Sequence, residues 1–324
     1  MEERKSDPVA PTIQALINHV FVEGMWKNVK RRAEAELVAE LANARFTSFP
    51  FISPDTFRSL ADVVIEEHQV RLREVLTTRQ IVYFELAELA GTERQYRDCY
   101  SLTLLDQVLS EAALPPVLIM NNGDFLPSAE LLRDLESRCH RIYAINLSVE
   151  TEKLRAIPLG LENLYRNRNG RLEDFHQVFE RPIAMARARM IFSAFSVENN
   201  KSVRGGVIRD VKNSRFDQVS GRISPQKFRA QVLDSKFVLS PPGRGIDCHR
   251  TWEAIYLGAI PVVLDGCLAP SLLDGLPLHA VSSYSDFLSL SDFELDHILQ
   301  LCLGRSKKRA YMHYWTAEIW RASN

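Results

Sequence analysis

Lys236 to Gly266 constrains this chain more than any other stretch. Phe237 to Ser240 is a short apolar run closed by Pro241-Pro242-Gly243. An apolar run ended by a proline–glycine turn reads as a buried parallel strand. Gly243 and Gly245 free the following loop for close approach to a ligand. Asp247 is a natural N-cap for a helix beginning at Cys248, Gly258 is a natural stop, and Ile260 to Leu264 is the next buried strand. The stretch is expected to form one strand–helix–strand crossover of a doubly wound α/β sheet. Gly243 to Arg250 then falls at the carboxyl ends of the strands, where such sheets bind ligands.

His249 and Arg250 lie in the first turn of that helix, where the macrodipole disfavours cations. The arrangement makes sense if an anion is the missing partner. Arg250, Arg244 in the loop and the free N–H groups of the helix would together hold a pyrophosphate. Glu253 shares a helix face with Arg250 and His249. Beside a diphosphate a carboxylate is a poor phosphate ligand and a good acceptor for two ribose hydroxyls. The plainer alternatives, solvated loop arginines and an ordinary Arg250–Glu253 helical pair, stay open for each residue taken singly. The glycine spacing matches neither a Walker A loop nor the dinucleotide fingerprint.

From Ser240 to Ala254, then Gly258 and Pro261-Val262-Val263, the chain resembles the exostosin-like glycosyltransferases, in particular soluble bacterial members. Ile157 to Asn163 and Phe192 to Asn200, followed by Arg204, are similar in a weaker way. The resemblance implies a GT-B architecture, in which two Rossmann-like domains face each other across a cleft. It implies a nucleotide-sugar donor, UDP- or GDP-linked, and neither cofactor nor metal. Ser240, Gly243, Arg244, Gly245, Asp247, His249, Arg250 and Glu253 would then form the donor site, with Arg244 and Arg250 on the diphosphate and Glu253 on the ribose. A short N-terminal half and no membrane anchor are expected, and both would depart from many relatives. The acceptor therefore stays open among a glycan, a lipid-linked glycan and a small molecule, with polysaccharide biosynthesis one setting. Two rivals remain: a nucleotide-sugar epimerase or hydrolase of the same architecture, and a protein that binds nucleotide or glycan without turnover.

An inverting transferase also needs a general base near the acceptor hydroxyl. In a GT-B cleft it should sit on a first-domain loop after a strand. Asp124 is the first candidate, Glu85 the second and Asp55 the third. Gly160 and Glu162 are expected near the cleft, and Arg204 could add to the anion site. A retaining mechanism would need no such base. No Asp-x-Asp occurs, which argues against the GT-A class and its metal–diphosphate chelate; arginines would take the metal's place.

The net charge of −1 over 324 residues gives no general attraction to nucleic acid. No apolar run approaches the roughly 20 residues of a membrane span, although peripheral association with a membrane and the oligomeric state stay open. The opening residues lack the apolar region of a signal peptide, and the five cysteines form neither a zinc nor a disulfide pattern. A cytoplasmic location is expected. A place in the first helical turn would lower the pKa of Cys248, which is otherwise read as a bystander.

The expected organisation is a helical extension over 1–45, a Rossmann-like acceptor domain over 46–163, a linker over 164–184 and a donor domain over 185–324 with a terminal helix. Within it, Phe46 to Ser53 reads as a strand. Asp55 reads as the cap of a helix running to about Leu76. Strands follow at Arg79 to Leu86, Val117 to Met120, Arg141 to Leu147 and Leu154 to Leu161, alternating with helices. In the donor domain, strands are expected at Met190 to Phe192, Phe216 to Val219 and His279 to Ser282, and helix from Ser291 to the end.

Overall fold

In a computed structural model, residues 48–73, 75, 77–89, 100–124, 127–164, 172, 175, 187–216 and 223–324 are described. The expected helical extension over 1–45 lies outside them, as does most of the strand expected at Phe216 to Val219. The fold is mixed α/β with two largely parallel sheets.

Helix α1 (Pro54–Arg58) precedes a six-stranded sheet. Its strands are β1 (Val63–Glu66), β2 (Gln69–Leu72), β3 (Ile81–Glu85), β4 (Val117–Asn121), β5 (Arg141–Ala144) and β6 (Leu154–Ala156). They are ordered β2-β1-β3-β4-β5-β6, with only the β1–β2 pair antiparallel. Helices α2 (Tyr100–Glu111) and α3 (Ala129–Arg138) make the crossovers on either side of β4. The second sheet contains β7 (Arg189–Phe192), β8 (Ser235–Leu239), β9 (Ile260–Leu264) and β10 (His279–Val281), all parallel and laid down in sequence order. Helices α4 (Lys201–Lys212) and α5 (Pro225–Leu233) lie between β7 and β8, α6 (His249–Tyr256) between β8 and β9, and α7 (Pro270–Leu273) between β9 and β10. Helices α8 (Tyr284–Ser289), α9 (Asp292–Leu303) and α10 (Met312–Ser323) complete the chain.

Strands β4, β8 and β9 form where continuous apolar runs demanded burial on both faces. One face of the second sheet packs Ile191, Phe237, Leu239 and Val262 against Val207 of α4, Phe287 of α8 and Leu295 of α9. Its other face joins a core that continues into the first sheet through Trp252, Ile255 and Tyr256 of α6 and Met312, Trp315 and Ile319 of α10. The terminal helix thus crosses to the first sheet: Met312 N donates to Pro50 O at 3.0 Å, and Arg79 N donates to Ser323 O at 2.8 Å. Among the described strands the second sheet shows no reversal of order, and so none of the switch-point crevice of a doubly wound sheet.

Several expectations are corrected. The helix expected over 55–76 ends at Arg58, is capped by Ser53, and gives way to the β1–β2 hairpin. Phe57, Leu60, Val63 and Val64 fit a helical stripe, but the β-branched Val63-Val64-Ile65 is fully buried and pairs in parallel with β3. Glu67 and His68 turn the hairpin with φ of 51° and 57°, without the Gly or Asn that would announce such a turn. Phe51 makes only an isolated bridge to Tyr311 rather than belonging to a strand. The terminal helical run is broken after Leu303, and a short 3-10 turn at Lys308–Ala310 precedes α10. Within the stretch 164–184, Phe175 is fully buried, 5.8 Å from the Phe51 ring and 6.2 Å from that of Tyr256.

Candidate functional site

The loop after β8 is held open from beneath. Arg204 of α4, only 3% exposed, donates Nε to Pro242 O at 2.9 Å, Nη2 to Pro241 O at 3.2 Å and Nη1 to Ser196 O at 2.8 Å. A Cβ on Gly243 would lie 2.9 Å from Arg204 Nη2, so this position excludes a side chain unless Arg204 moves. Ser240 Oγ and Thr251 Oγ1 lie 2.8 Å apart, tying the strand end to the first turn of α6. Arg204, expected as a cleft residue, shapes this loop and brings a charge to it.

Asp247 departs from the sequence reading. Cys248 takes the N-cap position of α6, without a side-chain cap bond, and the helix begins at His249. Asp247 turns inward instead and is 5% exposed. Its Oδ2 accepts Leu159 N at 2.9 Å, its Oδ1 accepts Cys248 N at 2.7 Å, and both oxygens lie 2.9 Å from Trp252 Nε1. Burial raises its pKa to about 6 in spite of these donors. Facing protein donors, its carboxylate fastens the loop to the first sheet.

His249 makes a second tie, with Nδ1 2.8 Å from Gly160 O. A carbonyl can only accept, so Nδ1 carries the proton. Gly160 has φ +73°, and a Cβ there would fall 2.1 Å from Ile52 O. Tyr256 makes a third, accepting Ile52 N at 3.1 Å and donating to Ala310 O at 2.6 Å. The expectation of a lowered Cys248 pKa is reversed. Burial pushes this thiol up, outweighing Arg250 and Arg204, and its Sγ points to Pro241 O at 3.6 Å.

Arg250 is partly buried and directs Nε to Ala194 O at 3.0 Å. Its Nη1 is buried with no hydrogen-bond partner. Its guanidinium carbon lies 5.5 Å from the Phe195 ring centroid, and that of Arg204 lies 5.6 Å from the same ring. Burial pulls Arg250 below its ordinary pKa, and the nearby Arg204 charge acts in the same direction. One helical turn on, Glu253 is 7% exposed. Burial raises its pKa to about 7; Arg250 and Arg229 oppose that rise and Glu162 adds to it. Near neutral pH, Glu253 therefore supplies only part of a compensating charge.

The first sheet brings its own carboxyl ends to this loop. Asp124, after β4, is exposed, and its Oδ2 lies 3.9 Å from Nη1 of the exposed Arg244. Glu85 and Asp55 are drawn into a network instead. Asn122 Nδ2 donates to Glu85 Oε1, Asn163 Nδ2 donates to Asn122 Oδ1 at 3.1 Å, and Asp55 N donates to Asn163 Oδ1 at 3.2 Å. Asp55 Oδ2 accepts Leu164 N at 3.0 Å, and burial raises its pKa. Of the three base candidates, Asp124 alone is exposed, and it lies opposite the loop after β8.

The residue that joins the two edges escaped sequence reasoning. Asn146, 3% exposed and with φ 60°, donates Nδ2 to Gly123 O at 3.0 Å and accepts Asp247 N on Oδ1 at 3.1 Å. A Cβ on Gly245 would lie 2.8 Å from Asn146 Oδ1, so Gly245 serves this contact. The available signal was an asparagine just past each of two central strands, Asn122 after β4 and Asn146 after β5, since Asn tolerates left-handed backbone.

No protein-family model matches the chain, and no curated protein does. Among solved structures, a UDP-forming α,α-trehalose-phosphate synthase from Burkholderia xenovorans is similar, with TM-score 0.33 and 11% identity over 75% of this chain and 70% of that one. At that TM-score the likeness says nothing about chemistry. Among the described residues no group of three His, Cys, Asp or Glu side chains is placed to hold a metal ion, and no helix is long and apolar enough to cross a membrane.

Proposed function

We propose that this chain is a glycosyltransferase of GT-B, exostosin-like type. In this reading residues 46–163 and 185–324 form acceptor and donor domains joined by 164–184, and the seam held by Asn146, Asp247 and His249 is the floor of the cleft. The donor is a UDP- or GDP-sugar. Its sugar passes to a hydroxyl of a glycan, a lipid-linked glycan or a small molecule.

One observation supports the reading most. Two guanidinium groups share the Phe195 ring at the carboxyl end of the second sheet, and Arg250 keeps a buried nitrogen without a partner. Under-satisfied buried cations destabilise a fold unless an anion completes them. A nucleoside diphosphate would do so, with Arg250 and Arg244 on its oxygens. Glu253 is the nearby acceptor for ribose. Stabilising the departing diphosphate is the largest service such a site can render, because negative charge grows there as the glycosidic bond breaks. Asp124, on the opposing edge, is the group to take the acceptor proton in an inverting transfer.

The test is a thermal-shift comparison of wild type and Arg250→Ala against UDP, GDP, CDP, ADP and their common sugars, with EDTA present. Selective stabilisation of the wild type that the variant loses is expected, with unchanged circular dichroism. Equal shifts in both proteins would remove Arg250 from the donor site. A shift without any release of nucleoside diphosphate from a nucleotide sugar, across an acceptor panel, would favour a binding protein.

A further inference from the structure

The loop after β7 carries a polar group that the donor motif does not include. Ser193 is 1% exposed, and its Oγ is buried with no hydrogen-bond partner. A buried hydroxyl without a partner is a net cost to the folded chain, and native interiors keep few of them. This one sits just past the carboxyl end of β7, one residue before the carbonyl that receives Arg250.

Its surroundings point to an anion. The next residue, Ala194, accepts Arg250 Nε at 3.0 Å, and Ser196 accepts Arg204 Nη1 at 2.8 Å. Both guanidinium groups are thus tied to the backbone of 194–196, with Phe195 against each. Strand alternation continued past β7 sets Ser193 on the face of Ile191 and Phe195, the face covered by α4 from which Arg204 reaches. Two donors from different elements, Ser193 Oγ–H and Arg250 Nη1–H, are therefore left over at one end of one sheet.

We infer that Ser193 is a further binding residue of this site, donating its hydroxyl to a phosphoryl oxygen of a diphosphate that Arg250 holds. The inference rests on the reading of the site as a diphosphate seat. In the unliganded chain the hydroxyl is closed off, so the oxygen reaches it as the 194–196 segment and Arg250 settle around the anion. Base and sugar play no part in the contact. Inorganic pyrophosphate and a nucleoside diphosphate share the chemistry, and their relative affinities show how much the nucleoside adds.

The experiment is calorimetric titration of the full chain with inorganic pyrophosphate, UDP, GDP, CDP and ADP. It uses the wild type, Ser193→Ala and Arg250→Ala, each with the melting temperature of the free protein. Ser193→Ala should weaken the diphosphate that binds by about tenfold or more, roughly one charge-assisted hydrogen bond. The same variant should melt at or above the wild-type temperature, because it removes a buried hydroxyl that nothing satisfies. A merely structural hydroxyl would behave in the opposite way, with a lower melting temperature and unchanged affinity, and that result overturns the inference. If Ser193→Ala binds like wild type while Arg250→Ala does not bind, Ser193 is outside the seat and the diphosphate reading stands. If the wild type binds none of these anions, or both variants bind like it, the reading falls and the inference with it.

Discussion

Glu253→Gln separates the electrostatic cost of this site from the rest of the fold. The carboxyl of Glu253 is 7% exposed, and burial lifts its pKa from an ordinary 4.5 to about 7. A carboxyl raised in the folded state binds more protons there than in the unfolded chain. Its contribution to stability is fully present below about pH 4.5 and is lost as pH rises through 7. At about 1.4 kcal/mol per pH unit the loss comes to about 3 kcal/mol by pH 8. Asp247, raised to about 6, acts in the same direction over a lower window. His313, lowered to about 4 by burial, acts in the opposite direction, losing stability as pH falls. Both are common to wild type and variant and cancel in the difference. Urea unfolding followed at half-unit steps between pH 4 and 8 should therefore show two curves that diverge as pH rises, with Glu253→Gln gaining on wild type. The buried amide adds an offset that does not depend on pH, so the changing gap is the test rather than its level. Parallel curves would show that Glu253 is ionised without penalty, and the argument that its charge fails to offset the arginines would go with it.

Two further outcomes follow from the seam. Asn146→Gly keeps the left-handed backbone but removes both bonds that join Gly123 to Asp247, and should lower urea stability by about 1–3 kcal/mol; a change within error would mean that the edges are held elsewhere. Gly160→Ala should do more harm, because its Cβ would fall 2.1 Å from Ile52 O at φ +73°; a soluble variant with the wild-type melting temperature would contradict this packing.

The hydrophobic pattern alone determined much of the framework. Val117 to Met120, Phe237 to Leu239 and Ile260 to Leu264 are short β-branched or aromatic runs that suit a strand buried on both faces, and each lies inside its sheet. The placement of Arg244 in the loop after β8, and of Arg250 and Glu253 in the helix that follows, also agrees with the strand–loop–helix pattern of the sequence. Val63 to Glu66 was not legible, because an apolar spacing shared by helix and strand is decided by its neighbour, here the open edge of β3. Nor was the part played by Asp247, whose sequence position suits a cap while its real partners, Leu159 and Trp252, come from the segment after β6 and from within α6. Asn146 carried only the weak signal of an asparagine after a strand, and Ser193 carried none. A side chain's hydrogen bonds, or the lack of them, depend on groups many residues away, and only the folded chain brings Gly123, Asp247, Ala194 and Arg250 within reach.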